Sequence, residues 1–301
     1  MTRSPSMTPG DAIVIGTFSR RMRLRLADGR EVDARIRGKR LRPVCGDRVT
    51  AQEIPDEREW LVTAIRDREN ALTRPNMRGK IEVLAANIDL LVVVAASPPA
   101  PDWFVVDRYL CAAEDMGVPA AIVFNKSDLH GPALPELQDY AAIGYPAVSC
   151  SAHSGDGIDR LQAIIRGNTA IIVGQSGVGK SSLINRLGGN ARLRTGDVSE
   201  RSGEGRHTTV NSMLLGLPGG GAVIDSPGVR DYAPALESEA RVIHGFRELE
   251  RTRHDCRFAN CRHLREPGCA IKAAVAGGRI SARRYESYKR LLALTTRLNS
   301  P

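Results

Sequence analysis

The chain has 301 residues, of which 42% are hydrophobic, so it is long enough for two or three packed domains. Its first residues lack the apolar core of a signal peptide, and its longest apolar run, 90–96, is too short to cross a bilayer. Six cysteines in a chain of this length do not indicate a secreted disulfide framework. These features argue against a membrane or secreted protein, and we expect a cytoplasmic one.

Positive charge is concentrated at the two ends of the chain. The net charge of +9 divides into +5 for residues 1–75, −3 for 76–236 and +7 for 237–301. Most of the basic residues are arginine, which suits contact with phosphate groups. This asymmetry predicts a polyanionic partner held by the ends, with solvated surface as the alternative.

Residues 1–10 are predicted to be a disordered tail, and residues 11–75 to be a small β-barrel of OB type. Turn residues separate five short β-patterned runs, at 12–18, 22–26, 32–36, 47–54 and 60–65. Arg21, Arg23 and Arg25 alternate with apolar residues, which predicts a basic face suited to RNA backbone contact. An SH3-like barrel would produce a similar pattern.

Residues 67–80 are polar and arginine-rich, which predicts a linker. From 80 to 236, strands alternate with helices, as in a parallel α/β sheet. The predicted strands are 90–95, 120–124, 147–150, 169–173, 210–215 and 222–224. The predicted helices are 103–116, 135–142, 158–166 and 181–187.

The sequence Asn125-Lys-Ser-Asp128 follows a predicted strand and matches the NKxD pattern of guanine-binding proteins. The Asp128 carboxylate can accept hydrogen bonds from two N–H groups of guanine that adenine lacks on that edge. Asn125 would tie loops together, and the Lys126 stem would cover the base. Ser151-Ala152 follows the next strand, where a backbone N–H could reach the guanine oxygen.

Gly174 to Ser181, with the sequence GQSGVGKS, has P-loop spacing between a predicted strand and a predicted helix. Its glycines let backbone N–H groups point at phosphate oxygens, beside the positive end of the helix. Lys180 would reach the β- and γ-phosphates, and Ser181 would bind Mg²⁺.

A long polar loop, 188–207, precedes Thr208 and Thr209, one of which could join Mg²⁺. After a predicted hairpin, Asp225-Ser-Pro-Gly228 matches the DxxG pattern. Asp225 would hold Mg²⁺ through water, and the Gly228 amide would contact the γ-phosphate. In all, these residues are expected to contact GTP: Asn125, Lys126, Asp128, Ser151, Ala152, Gly174, Gln175, Ser176, Gly177, Val178, Gly179, Lys180, Ser181, Ser182 and Gly228.

Val229 stands where Ras-like proteins have a glutamine that orients water. A valine cannot do so, and slow intrinsic hydrolysis is expected unless another group supplies the function. His207 is the best internal candidate for a catalytic residue, because a histidine exchanges protons near neutral pH. A loop histidine without a catalytic role is the alternative.

The carboxy-terminal segment, 237–301, carries three cysteines and a histidine within 14 residues, with the spacing C-x4-C-x-H-x5-C. A closed set of these four ligands predicts a structural Zn²⁺ site at Cys256, Cys261, His263 and Cys269. Cys45, Cys111 and Cys150 lie in apolar or strand contexts and are expected to be buried thiols. Helices are predicted at 240–251 and 281–298.

The guanine-nucleotide motifs of small GTPases occur here in a permuted order, with NKxD and Ser151-Ala152 before the P-loop. The chain therefore resembles a circularly permuted GTPase, a multidomain α/β protein. With a β-barrel before it and a zinc domain after it, it resembles the ribosome small subunit-dependent GTPase A family over about residues 11–300. GRHTT before DSPG is typical of that family, although Val210 replaces the third threonine of many members.

The resemblance implies a GTPase that acts as a late assembly factor of the bacterial 30S ribosomal subunit. Such a factor binds 16S rRNA near the decoding region, exchanges GTP and GDP, and is stimulated by the ribosome; we expect a monomer. The predicted units are a tail at 1–10, a barrel at 11–75, a GTPase domain at 80–236 and a zinc domain at 237–301. The alternative is a GTP-sensing RNA-binding module with vestigial hydrolysis.

Overall fold

The structure is a computed structural model that describes residues 10–18, 21–36, 38, 40–76, 79–129, 135–189, 210–225 and 232–299. Within these ranges, no helix combines the length and the apolar character needed to cross a membrane.

The amino-terminal strands close into a five-stranded barrel, with the apolar side chains of β2 (Met22, Leu24 and Leu26) in its core. Its strands are β1 (Asp11–Phe18), β2 (Met22–Leu26), β3 (Glu31–Ile36), β4 (Arg48–Glu53) and β5 (Trp60–Ile65). Pairing runs β1-β2-β3-β5-β4 and returns to β1, and β3 and β5 are parallel. A parallel pair does not arise from consecutive hairpins, so this ring confirms the OB-type prediction over the SH3-like alternative.

The predicted basic face of β2 is largely neutralised by neighbouring acidic residues. Arg23 donates to Asp33 at 3.0 Å and Arg25 donates to Glu31 at 2.9 Å, both across the β2–β3 pair. Arg21 pairs with Glu59 at 2.9 Å. The predicted alternation of basic and buried apolar residues along β2 is confirmed, but spacing along one strand does not reveal the acidic partners that lie opposite.

The predicted linker at 67–80 contains a strand, which corrects that prediction. The strand β6 (Ala71–Pro75) pairs antiparallel with β7 (Ile81–Ala86) in a separate two-stranded sheet. Its polar residues have fixed partners: Arg74 donates to Glu82 at 3.1 Å, and Arg68 donates to the fully buried Asp47 at 2.7 Å. The arginines of this segment therefore take part in ion pairs within a folded region, and the segment is not an unstructured connection.

The middle of the chain is a mostly parallel sheet with helices on both faces. Its elements are β8 (Leu90–Ala96), α1 (Trp103–Met116), β9 (Ala120–Asn125), α2 (Pro135–Ala142), β10 (Ala147–Ser149), α3 (Ile158–Ile165), β11 (Thr169–Gly174), α4 (Lys180–Leu187), β12 (Val210–Gly216) and β13 (Ala222–Asp225). The strand order is β10-β9-β8-β11-β13-β12, and β12 alone in this set runs antiparallel to its neighbour. The carboxyl ends of β8, β9 and β11 thus lie side by side, where α/β sheets bind ligands.

The barrel and the α/β sheet share their backbone hydrogen bonding. Strand β12 pairs antiparallel with β1, so that both sheets form one continuous set of 11 strands. The β12 strand begins directly after Thr209, one of the threonines predicted to reach Mg²⁺. This joint places the barrel next to the nucleotide region.

Four helices follow: α5 (Glu239–His244), α6 (Arg247–Thr252), α7 (Ala270–Ala276) and α8 (Ala282–Leu298). The prediction of a single helix at 240–251 was wrong, because the chain turns at Gly245 and Phe246 and so forms α5 and α6 instead. A Cβ on Gly245 would lie 2.0 Å from the Cys111 sulfur, and Phe246 is fully buried with an extended φ of −122°. Close packing on α1 therefore ends the helix.

Candidate nucleotide site and metal cluster

The loop between β11 and α4 requires glycine at three positions. Gly174, Gly177 and Gly179 have φ angles of 141°, 82° and 88°, which residues other than glycine rarely adopt. A Cβ on Gly174 would lie 2.2 Å from the Val94 carbonyl oxygen, and one on Gly179 would lie 2.5 Å from the Asn125 amide nitrogen. Both the backbone turn and the space therefore fit a phosphate-binding loop.

Lys180 is buried beneath this loop, close enough to Asp225 for their charges to interact. Its Nζ donates to the carbonyl oxygens of Gly174 at 2.9 Å and Gln175 at 2.8 Å. Burial lowers the pKa of Lys180, and the Asp225 carboxylate opposes that shift. Burial likewise raises the pKa of Asp225, and Lys180 opposes that shift. The site thus offers one cation, Lys180, for a phosphate group and one carboxylate, Asp225, for the Mg²⁺ that accompanies it.

Asn125 joins three loops. Its side-chain amide donates to the Val178 carbonyl at 2.9 Å and accepts from the Ala152 N–H at 3.0 Å. Asn125 is 1% exposed, at the carboxyl end of β9. The NKxD segment, the Ser151-Ala152 segment and the P-loop are therefore brought together around one residue.

Lys126 reaches across the P-loop. It has a positive φ of 64°, and its Nζ donates to the carbonyl oxygens of Pro98 at 2.7 Å and Gly177 at 2.8 Å. Sequence reasoning missed the loop after β8 that carries Pro98. Its signal was the proline pair at the end of a buried strand, which marks a loop at the sheet edge where ligands bind.

Asp128 lies beside Ser151, which donates to it at 2.5 Å. Ser151 is fully buried and also accepts from the N–H groups of His153 and Ser154. The His153 Nδ1 lies 3.9 Å from the Asp128 carboxylate, a neighbour that the motif did not indicate. A carboxylate held in this way can accept N–H groups from a planar base.

The remaining predicted residues fall into two groups. Ser181 and Ser182 are exposed in the first turn of α4, Ser176 is exposed in the loop, and Gln175 accepts from the Asp102 N–H at 3.3 Å. The others lie outside the described residues: His207, Thr208, Thr209 and Gly228.

The four predicted metal ligands form one cluster. The ligand atoms of Cys256, Cys261, His263 and Cys269 all lie within 4.8 Å of one another. The His263 Nδ1 is 3.5 Å from the Cys256 sulfur and 3.6 Å from the Cys269 sulfur. Three sulfurs and one imidazole nitrogen at this spacing could hold a single tetrahedral ion.

The loop around this cluster is held by neighbouring polar groups. Glu266 accepts from the N–H groups of Arg262, Leu264 and Arg265 at 2.9–3.0 Å. Its own backbone N–H and these three hold the pKa of Glu266 at about 2. Tyr285 donates to the carbonyl oxygen of His263 at 2.5 Å, which helps to orient this residue.

The other three cysteines, Cys45, Cys111 and Cys150, are fully buried, as predicted. Burial raises the pKa of Cys45 to about 12 and that of Cys150 to about 12, so both are protonated thiols at neutral pH. They lie outside the four-residue cluster.

Comparisons with known proteins agree with this geometry. Residues 65–234 match the model of a family described as RsgA GTPase. The chain is 44% identical over 238 residues to a protein of Pseudomonas fluorescens named small ribosomal subunit biogenesis GTPase RsgA, covering 77% of this chain and 69% of that protein. The chain belongs to the RsgA GTPase family. A protein of Shewanella oneidensis, also named small ribosomal subunit biogenesis GTPase RsgA, is 39% identical over 290 residues, covering 93% of this chain and 82% of that protein.

Solved structures extend the RsgA likeness to the whole fold. YjeQ from Thermotoga maritima has a TM-score of 0.74 and 28% identity, covering 98% of this chain and all of that one. YloQ, described as a circularly permuted GTPase, has a TM-score of 0.73 at 22% identity and covers the full chain, which supports the fold alone. As a member of the RsgA GTPase family, this chain is a GTPase with a permuted motif order.

Asp128→Asn is expected to relax the preference of this RsgA GTPase for guanine. An amide can donate to the additional oxygen of xanthine but loses a charge-assisted contact with guanine, which is worth about 1.5–3 kcal/mol. We expect kcat/KM for GTP to fall about 10–100-fold and xanthosine triphosphate to become a substrate. Asp156→Asn is the matched control, because Asp156 accepts from Ser154 at 2.6 Å in the neighbouring loop. Continued strict rejection of xanthosine triphosphate would count against the base contact.

Proposed function

We propose that this GTPase acts in the assembly of the small ribosomal subunit, bound to its 16S rRNA. The observation that carries the proposal is the junction at Asn125, which ties the NKxD loop to the P-loop. The relatives of this chain are named small ribosomal subunit biogenesis GTPase RsgA. The basic ends of the chain, at +5 and +7, support an RNA partner.

The proposed roles follow from where each group lies. Asp128 would accept the guanine N–H groups, and Lys180 would leave its loop carbonyls to contact the phosphates. Ser181, at the start of α4, and Asp225, facing Lys180, would hold the Mg²⁺ that accompanies GTP and neutralises phosphate charge. The roles of Thr208, Thr209, Gly228 and His207 remain proposals from the sequence.

We propose one structural Zn²⁺ at Cys256, Cys261, His263 and Cys269. The donor set supports it, because three thiolates and one imidazole in a closed cluster suit tetrahedral zinc. When bound, the ion would cross-link the loop between α6 and α7. Its role is structural because four protein ligands leave no open position for chemistry.

We also propose that the barrel (11–75), the GTPase domain (80–236) and the zinc domain (237–301) are the functional units, in a cytoplasmic monomer. The barrel's own apolar cluster supports the first division, and the cluster among α5–α8, which also takes in Cys111 of α1, supports the second. The backbone pairing of β1 with β12 supports direct contact between the first two units.

GTP turnover should rise when purified small ribosomal subunits are added. Since Val229 replaces the water-orienting glutamine, turnover of the protein alone should be slow, and a group supplied or ordered by the subunit is typically worth about 10²-fold or more. Steady-state phosphate release, measured with and without small subunits and with large subunits as the control, tests this. The absence of stimulation would favour a GTP-sensing RNA-binding module with vestigial hydrolysis.

A further inference from the structure

A pocket of about 230 Å³ opens on the carboxy-terminal helices, away from the nucleotide residues. Its apolar side comes from α5 and α8, including Ile243 and Leu292, and its rim from the metal-cluster loop, including Phe258, Asn260 and Arg262. Cys261 and His263 border the pocket and Cys256 and Cys269 do not, so the pocket adjoins one side of the metal cluster and extends from it toward α5 and α8.

Phe258 differs from the other large apolar side chains that line this pocket, Ile243, Tyr288 and Leu292, because it is 40% exposed and they are buried. The Arg257 guanidinium carbon lies 5.4 Å from the centre of its ring. Residues 251–265 contain five arginines and one acidic residue. An exposed aromatic ring among arginines is the usual arrangement for stacking an unpaired base while the backbone phosphate is neutralised.

The polar groups of the pocket suit a base better than an acidic peptide. The exposed Asn260 amide can both donate and accept, as base edges require. Glu239 also lines the pocket, where it accepts from Arg262 at 2.6 Å and from Thr296 at 2.9 Å. A carboxylate at this position repels an acidic peptide but can accept an N–H from a base.

We propose that this pocket receives one unpaired nucleobase of the bound RNA, with Phe258 stacking on the base and Arg257 beside its phosphate. The volume of about 230 Å³ suits one planar ring system and lies below the ~300–1,000 Å³ of sites for drug-sized ligands. The inference rests on the proposed function, since it names how that function's RNA partner is held.

The test uses the full-length, metal-containing protein and a short labelled single-stranded RNA, with binding followed by fluorescence anisotropy. Phe258→Ala should weaken binding about 10-fold, whereas Phe258→Tyr should bind like the parent because it keeps the ring. The salt dependence should not change, because no phosphate contact is lost. Leu298→Ala is the matched control, since Leu298 is 42% exposed at the far end of α8 and does not line the pocket.

An RNA of the same length without bases separates stacking from other effects. It should bind the parent and Phe258→Ala equally, and an equal loss on both RNAs would overturn the proposal. Parent-like binding of base-containing RNA by Phe258→Ala would also overturn it. In Phe258→Trp, RNA should quench the added tryptophan fluorescence; a response to an acidic peptide and none to RNA would overturn the base assignment.

The turnover assay distinguishes the two proposals. If small subunits stimulate the parent but Phe258→Ala binds single-stranded RNA normally, the base pocket fails and the assembly function stands. If stimulation is absent but the ring-dependent RNA binding is present, the assembly function fails and the pocket stands.

Discussion

Chelation of the proposed zinc ion should unfold the loop at 253–268 and the helix α7 that follows it. This is the largest effect that we expect. Most of residues 253–268 are exposed, and the buried His263 is one of the ligands themselves. A segment that buries so little apolar surface cannot offset the entropy of its own ordering. Structural zinc sites supply about 10–16 kcal/mol of apparent binding free energy, which here would be folding free energy.

Cys261→Ala tests this without a chelator, because it removes one of four ligands and should weaken metal binding by at least ~100-fold. Zinc content, far-ultraviolet circular dichroism and limited proteolysis should show metal loss, lower helix content and new cleavage between 253 and 280. Cys111→Ala is the matched control, a fully buried cysteine in the same apolar cluster but outside the four ligands. GTP binding should persist in both variants, and a metal-free protein with unchanged protease resistance would contradict the prediction.

Helices with strong local signals could be predicted to the residue. Helix α1 begins where Asp102 accepts from the N–H groups of Phe104 and Val105, and it ends at Gly117, whose φ is 69°. An aspartate cap and a left-handed glycine are both visible in the sequence. The break at Gly245 was missed because its cause, the sulfur of Cys111, is more than a hundred residues away.

Pairings between distant strands could not be predicted for the same reason. Nothing in the patterns of β1 or β12 indicates that they pair, and the partners of Arg23 and Arg25 lie on another strand. The hydrogen-bond partners of an edge strand and the acidic partners of its arginines come from residues distant in the sequence. Periodicity shows only which side of a strand is buried.

The candidate nucleotide and metal residues could be predicted because each motif is short and its chemistry is local. The spacing of the P-loop and of the cysteines brings their own members together. The contacts between distant segments could not be predicted residue by residue. Lys126 donates to the Pro98 carbonyl, and the Tyr232 ring stacks on the Tyr109 ring with centroids 4.1 Å apart while its hydroxyl donates to the Thr73 carbonyl. These contacts depend on how the elements pack, which only the folded chain shows.

A buried ionic network joins the GTPase domain to the carboxy-terminal helices. Arg284 on α8 is 1% exposed and donates to Asp107 on α1 at 2.7 Å and to Glu248 on α6 at 2.7 Å and 3.0 Å. Tyr140 also donates to Asp107, at 2.5 Å. Although burial alone would lower the pKa of Arg284, Asp107 and Glu248 raise it well above its usual value.

Arg284→Leu should therefore destabilise the protein by about 3–5 kcal/mol, because it leaves the buried Glu248 carboxylate without its cation and leaves Asp107 with Arg283, which donates to it at 3.0 Å. The loss should shrink as the pH falls, since a carboxyl deprived of its partner has a raised pKa in the folded state and can take up a proton there. Adding Glu248→Leu should recover part of the loss, because the double variant no longer buries the Glu248 charge without its partner.

Urea unfolding at two pH values measures these differences, with Arg290→Leu as the control on the same helix. The Arg290 pair with Glu286 is exposed and should be worth no more than about 1 kcal/mol. If Arg284→Leu costs no more than Arg290→Leu, the network does not hold the two domains together. A cost that is additive with Glu248→Leu would show that Arg284 and Glu248 act independently, despite the two hydrogen bonds between them.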